Sequence, residues 1–310
     1  MTADPASAPF PPPSAPWDAS FDPLAPSPFR ELALTTPDGA TVAARHFTPT
    51  APARGAVFLA PAMAVPQSFY EPMARHLADL GFHVLSFDYR GTGASRTTPL
   101  RKVDTDILRW AEVDTRLALD ALVARTAGLP RTWIGHSLGG QILPLVANHQ
   151  AVAKVVTIAT GSGYWRENAP ALRKKVWLLW YGFVPALTPL FGYFPGGRLG
   201  MVGDLPRGVI RQWRSWCLHP EYLVGVLGDT MRARYAAFDR PITSLSFTDD
   251  ELMSERNITS LHGFYAGSEV RLRRIDPAQV GVRRIGHFGF FRAEHAPLWE
   301  RFLIPELATL

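Results

Sequence analysis

From residue 30 onward the chain alternates short runs rich in β-branched and aromatic residues with longer stretches in which apolar positions recur every three or four residues. That alternation predicts a mainly parallel sheet covered by helices, because each parallel crossover needs a helix-length connection. The opening pair differs. Runs 31–35 and 41–47 flank Pro37-Asp38-Gly39, a strong turn signal, and so predict an antiparallel hairpin at the sheet edge. Residues 57–59 predict a buried strand, followed by a helix with Phe69, Met73, Leu77 and Leu80 on one face and Gly81 at its end. A strand at 84–87 runs into the turn-rich stretch from Asp88 to Ser95. Trp110, Val113, Leu117, Ala121 and Ala124 then predict the buried face of a long helix, and further strands are expected at 132–134, 154–158, 242–246 and 270–275.

The stretch 161–240 does not follow this rhythm. It holds Trp165, Trp177, Trp180, Trp213 and Trp216, five of the nine tryptophans, and is too long for a bare loop, so it predicts a helical cap inserted above the sheet. Residues 176–194 contain no charge and follow Arg173, Lys174 and Lys175, but Gly182, Pro185, Pro189 and Gly192 interrupt them. These breaks favour a buried or interfacial cap over a membrane span and leave room for transient lipid contact through it. Residues 1–28 are rich in Pro, Ala and Ser without a basic segment followed by an apolar one, which predicts a disordered tail and not a secretory signal. The expected organisation is therefore a tail at 1–28, a core made of 29–160 and 241–310, and a cap at 161–240.

Composition narrows the function. With 47% hydrophobic and 19% charged residues, the chain can bury a large core. The net charge of +5 comes from scattered arginines, apart from Arg271, Arg273, Arg274 and Arg283, Arg284, and reads as a solvated face with no nucleic-acid partner. Cys217 is the only cysteine, which excludes an intramolecular disulfide and a cysteine-based zinc site and allows a reducing compartment; a cytoplasmic location is expected. No His-Glu-x-x-His or other ligand spacing is present, so no metal and no cofactor is expected. Gly91-Thr92-Gly93 lacks the residues that complete a phosphate loop and reads as a tight turn.

The chemistry gathers around Gly135-His136-Ser137-Leu138-Gly139, which follows a predicted strand and opens a helix. A serine held on so sharp a turn needs small residues two positions before and after it, and Gly135 and Gly139 supply them. The first helical amide, that of Leu138, is then placed to stabilise an oxyanion, with the N–H of Met63, in the loop after the 57–59 strand, as the nominated second donor. A serine hydroxyl needs a base oriented by a carboxylate. Of the nine histidines, His287 sits in a Gly-flanked loop after the last strand and is the candidate base, while His262 and His295 read as helix residues. Asp249, Asp250 and Glu251 follow the 242–246 strand; Asp250 is the candidate acid, Asp249 the main alternative, and the remaining carboxylates read as surplus.

Taken together, the elbow, the stretch from Asp88 to Ser95, the Asp249-Asp250 pair and the Gly286-His287 loop resemble the α/β-hydrolase superfamily, in the branch of serine aminopeptidases and monoacylglycerol lipase-like hydrolases. The resemblance spans about residues 30 to 310. It implies an α/β-hydrolase fold with a mainly parallel eight-stranded sheet, and a Ser137, Asp250, His287 triad acting through an acyl-enzyme on a small-molecule acyl substrate. Three features depart from the family pattern. Pro61-Ala62 stands where His-Gly is common, Pro144 is expected to kink the helix after Ser137 beyond its second turn, and the acid strand ends without the usual glycine. Trp177, Trp180, Phe183 and Trp213 are the expected pocket residues, in keeping with a medium or long apolar acyl group, or else they simply pack the cap. A carboxylic ester hydrolase is the leading expectation; an acyltransferase or aminopeptidase on the same residues and a non-catalytic binding protein are the alternatives.

Overall fold

The computed structural model describes residues 29–309; the segment 1–28, read from the sequence as a disordered tail, lies outside the described residues. Two strands open the chain, β1 (Phe29–Thr35) and β2 (Thr41–Phe47), paired antiparallel across the Pro37-Asp38-Gly39 turn. They are followed by β3 (Gly55–Ala60), β4 (Phe82–Phe87), β5 (Arg131–His136) and β6 (Lys154–Ile158). A small separate hairpin comes next, β7 (Tyr193–Pro195) with β8 (Asp204–Pro206), and the chain returns through β9 (Ile242–Phe247) and β10 (Val270–Ile275). The eight-stranded sheet has the order β1-β2-β4-β3-β5-β6-β9-β10 and is parallel from β4 to β10, so β1 and β2 form the antiparallel edge that their turn chemistry predicted.

Both faces of the inner strands are buried, whereas the edge strands β1 and β10 are largely exposed, and successive residues of an inner strand feed different cores. Phe58 and Trp133 join one cluster with Trp110 and Leu119, whereas Val57, Leu59 and Ile134 join another with Trp299 and Leu303. The register decides where chemistry can occur. Ala60 lies opposite Gly135, and Ile158 opposite both His136 and Leu245, so the loops after β3, β5, β6 and β9 leave the sheet along one edge.

Two elements differ from the pattern-based expectation. The helix spanning 107–123 buries Trp110, Ala111, Asp114, Thr115, Ala118, Leu119, Ala121 and Leu122, while Val113 and Leu117 are half-buried and Ala124 is exposed. A wide turn at Trp110–Thr115 rotates the face inward at Asp114, whose carboxylate takes the Arg90 N–H at 2.9 Å and its Nε–H at 2.8 Å. A buried ion pair thus overrides a simple apolar stripe. The helix after Ser137 is also shorter than a kink beyond its second turn would leave it. It covers only Leu138–Gln141 and gives way to a 3-10 turn at Leu143–Leu145, because Pro144 has no N–H and its ring collides with the carbonyl four residues back.

The 161–240 stretch is helical, with helices at Pro170–Leu178, Val184–Phe191, Arg207–Leu218, Tyr222–Leu227 and Asp229–Ala237. The β7–β8 hairpin inside it was not foreseen, since strands of three residues carry no readable alternation. Val176, Trp180, Trp216 and Tyr222 pack into the same cluster as Phe58 and Trp133, which joins the stretch to one face of the sheet. Among the described residues, no helix is long and apolar enough to cross a membrane.

Candidate active site

Ser137 sits at the tip of β5 with φ 49° and ψ −111°, a conformation that residues with a side chain seldom adopt. Close packing enforces it. A Cβ on Gly139 would lie 2.0 Å from the Ala60 carbonyl oxygen, and one on Gly135 would lie 2.5 Å from the Cα of Gly140. The Ser137 N–H donates to the Ile158 carbonyl at 3.0 Å, which ties the elbow to β6. As the sequence required, only glycine fits on either side of the turn.

His287 and Asp250 are brought together by the loops after β10 and β9. The His287 ring Nδ1 lies 2.9 Å from Asp250 Oδ2 and 3.1 Å from Oδ1, and both side chains are buried. Asp250 Oδ1 also accepts the N–H groups of Leu252 (2.8 Å) and Met253 (2.9 Å), which hold the carboxylate facing the ring. With Nδ1–H donating to Asp250, Nε2 is left as the basic nitrogen.

The neighbouring carboxylates are not surplus, contrary to the sequence reading. Asp249 accepts the N–H of Ile285 at 2.8 Å and of Gly286 at 3.0 Å, and Glu251 accepts the N–H of His287 at 3.1 Å. Gly286 has φ 62°, which lets three consecutive amides turn toward these acids. Three adjacent side chains therefore divide the work, two on the backbone of the loop and one on its ring.

The loop after β3 is pinned although it lacks His-Gly. Tyr89 donates its O–H to the Pro61 carbonyl at 3.0 Å, the Ala62 N–H donates to the Tyr70 oxygen at 2.8 Å, and the Gln67 N–H donates to Asp88 Oδ1 at 2.7 Å. The Ala62 amide is thus committed to Tyr70, and Met63, the residue nominated from the sequence, follows it and lines the cavity at Ser137. Tyr70 in turn donates to His136 Nδ1 at 2.8 Å, and His136 Nε2–H donates to the His287 carbonyl at 3.0 Å. Complete burial pulls the His136 pKa well below the ordinary histidine value, so a neutral ring joins the two loops. Sequence reasoning set His136 aside as a base and had no signal for Tyr70, since neither residue type nor spacing reports contacts made across the sheet edge.

Ser137 and His287 open onto one cavity of about 110 Å³, lined also by Ala62, Met63, Trp180, Trp213 and Phe288. Trp180 and Trp213, two of the expected pocket residues, meet edge to face with ring centres 5.0 Å apart. The other two do not line it. Trp177 is 51% exposed on the outer face of its helix, beside the buried Val176, and Phe183 packs against the apolar core. Val176 and Leu179, on the inner face, take part in the lining instead. Among the described residues, no cluster of His, Cys, Asp and Glu is arranged to hold a metal ion.

Residues 39–198, about half of the chain, match the family described as serine aminopeptidase, S33. The chain belongs to this hydrolase family. No curated protein matches it in sequence. Among solved structures it is similar to a thermostable carboxyl esterase of Bacillus coagulans in complex with glycerol, at 15% identity and a TM-score of 0.57, over 80% of this chain and 90% of that one. An esterase of Pyrococcus furiosus matches at 15% identity and a TM-score of 0.57, over 94% of this chain and 93% of that one. A soluble variant of the monoglyceride lipase of Saccharomyces cerevisiae, in complex with a substrate analogue, matches at 18% identity and a TM-score of 0.55, over 82% of this chain and 89% of that one. At such identities these likenesses carry the fold, which is that of an α/β-hydrolase.

Proposed function

We propose that the protein is a serine hydrolase that cleaves a carboxylic ester of a small apolar acid, with Ser137 as nucleophile, His287 as general base and Asp250 as the orienting carboxylate. The observation that carries this reading is the meeting of a strained elbow serine and an Asp-bound histidine on one apolar cavity. Ser137 Oγ attacks the ester carbonyl while its proton passes to His287 Nε2, and the N–H groups of Leu138 and Met63 take the oxyanion. Collapse expels the alcohol with that proton and leaves an acyl-Ser137, which water, deprotonated by His287, then hydrolyses.

Cavity size supports the short end of the acyl range. An apolar cavity of roughly 150 Å³ holds benzene, so one of about 110 Å³ suits an acyl chain of roughly four to six carbons unless the roof formed by 161–240 opens. Its lining contains no Asp or Glu to hold a free α-amino group, which favours ester cleavage over aminopeptidase action despite the family's description. The roof also offers a lipid-facing side. Trp177, Leu178, Tyr181, Leu190 and Phe191 are exposed beside Arg173, Lys174 and Lys175, a combination that suits an anionic membrane surface, while Val176, Leu179 and Trp180 of the same segment line the cavity.

A fluorophosphonate probe and a p-nitrophenyl ester series test the reading. Folded protein is expected to be labelled and to hydrolyse butyrate and hexanoate esters, and Ser137→Ala to lose both while staying folded. Absence of labelling and turnover in the folded wild-type chain would overturn it. Transfer of the acyl group to added alcohols or amines in preference to water would replace hydrolysis with acyl transfer.

A further inference from the structure

The helix behind Ser137 is too short to hold itself in place. A single turn, Leu138–Gln141, carries little stability of its own, and Pro144 prevents its extension. Its direction nevertheless sets both the Ser137 side chain and the Leu138 amide. The Leu145 N–H turns back to the Ile142 carbonyl at 2.9 Å, leaving the Gln141 carbonyl without the donor that a continuing helix would provide.

The 161–240 stretch supplies the missing partners. Tyr235 donates its hydroxyl to the Gln141 carbonyl, and Tyr222 donates to Gln141 Oε1 at 2.9 Å. Gln141 Nε2–H donates in turn to the Gly161 carbonyl at 2.8 Å, in the loop after β6. All of these side chains are buried, with Gln141 at 2% and both tyrosines at 0% exposure, so no water can substitute for a lost bond. Tyr222 also has φ 53°, a strained value for a residue with a side chain, and its ring packs so tightly on Gly163 that a Cβ there would lie 2.4 Å from it. Gly163 lines the cavity at Ser137. The same tyrosine thus touches the cavity wall and the end of the nucleophile helix.

We propose that Tyr222 and Tyr235 are positioning residues that act through Gln141, replacing the turns lost at Pro144 and fixing the Ser137–Leu138 segment to the roof over the cavity. The proposal rests on Ser137 being the nucleophile. It predicts that removing either hydroxyl loosens the serine and the oxyanion amide without altering the apolar surfaces that bind the acyl group. The effect should fall on kcat and not on KM.

The test compares wild type, Tyr222→Phe, Tyr235→Phe, Pro144→Ala and the Pro144→Ala/Tyr235→Phe double variant. Active sites are titrated with fluorophosphonate, and kcat and KM for p-nitrophenyl butyrate are expressed per titrated site. Each Phe variant is expected to lose about tenfold or more in kcat per site with KM within about threefold, and the loss from Tyr235→Phe should shrink when Pro144→Ala, whose N–H can bond the Gly140 carbonyl, lets the helix continue so that the Leu145 N–H reaches the Gln141 carbonyl. A merely structural role would lower melting temperature or the number of titrated sites and leave kcat per site unchanged, and that result in both Phe variants overturns the proposal. Should Tyr235→Phe not fold, the double variant decides: recovery of folded, titratable protein supports the brace, and failure alongside a folded Pro144→Ala overturns it. A folded wild type that takes no label counts against Ser137 as nucleophile, a different outcome from unchanged kcat in labelled variants.

Discussion

Substituting Asp250 by Asn separates two adjacent carboxylates that the sequence could not tell apart. The Oδ1 atom of Asp250 is held by the amides of Leu252 and Met253, so an asparagine keeps its carbonyl there and must present its NH₂ where Oδ2 now stands, 2.9 Å from His287 Nδ1. Two donors cannot face each other, so the ring switches tautomer, accepts at Nδ1 and carries its proton on Nε2. In the proposed mechanism, that nitrogen can then no longer take the Ser137 proton. The same wrong-tautomer substitution in a serine protease triad lowers kcat by about 10⁴, or roughly 5.5 kcal/mol of transition-state stabilisation. Asp249→Asn acts differently, because Asp249 holds only the backbone amides of Ile285 and Gly286. It should cost about 1–2 kcal/mol of stability through weakened charge-assisted bonds and less than about tenfold in kcat. Stopped-flow or steady-state hydrolysis of p-nitrophenyl butyrate, with melting curves on the same samples, measures both quantities. An Asp250→Asn variant within tenfold of wild type, or an Asp249→Asn variant as impaired as Asp250→Asn, would refute the assignment.

Two further outcomes are expected. His262 is buried, with Nδ1–H donating to the Ile258 carbonyl at 2.8 Å and Nε2 2.9 Å from the Thr157 hydroxyl, and burial pulls its pKa from 6.5 to about 4. The unfolded chain then binds the extra proton first, so stability is retained above pH 6.5 and lost as pH falls from there toward about 4. Urea denaturation should show about 2 kcal/mol less stability at pH 5 than at pH 7.5 from this residue, and His262→Gln should remove that part of the pH dependence; an unchanged slope would contradict the burial argument. For the roof, co-sedimentation with phosphatidylserine-containing vesicles should exceed that with phosphatidylcholine alone, and Lys174→Gln/Lys175→Gln should weaken it by about thirtyfold, with Trp177→Ala/Tyr181→Ala also reducing it. Equal sedimentation by all variants would exclude this face as the membrane contact.

How much was legible in advance varied with the range of the interaction. Strands β2, β6 and β10 were readable to the residue, and β3, β4, β5 and β9 to within a few residues, because period-two runs bounded by Gly, Pro and Asp are local signals. The face of the 107–123 helix was misread, since the buried Asp114–Arg90 pair is a contact between residues 24 positions apart that no apolar periodicity reports. Val113 and Leu117 lost the inward face to it.

At the site itself, the sequence alone determined the elbow at Ser137, because Gly135 and Gly139 answer a steric demand made within five consecutive residues, and it located the His287 loop and the cluster of acids by their order along the chain. Only the tertiary structure assigned one acid to the ring and two to the backbone amides, brought Tyr70 and His136 between two loops, and turned Trp177 outward while Val176 faced the cavity. These depend on which way a side chain points after strands from distant segments pair, and a helix that Pro144 cuts to one turn takes its support from tyrosines some eighty and ninety residues away. Local sterics are written in neighbouring residues; hydrogen-bond partners across the sheet edge exist only once the chain has folded.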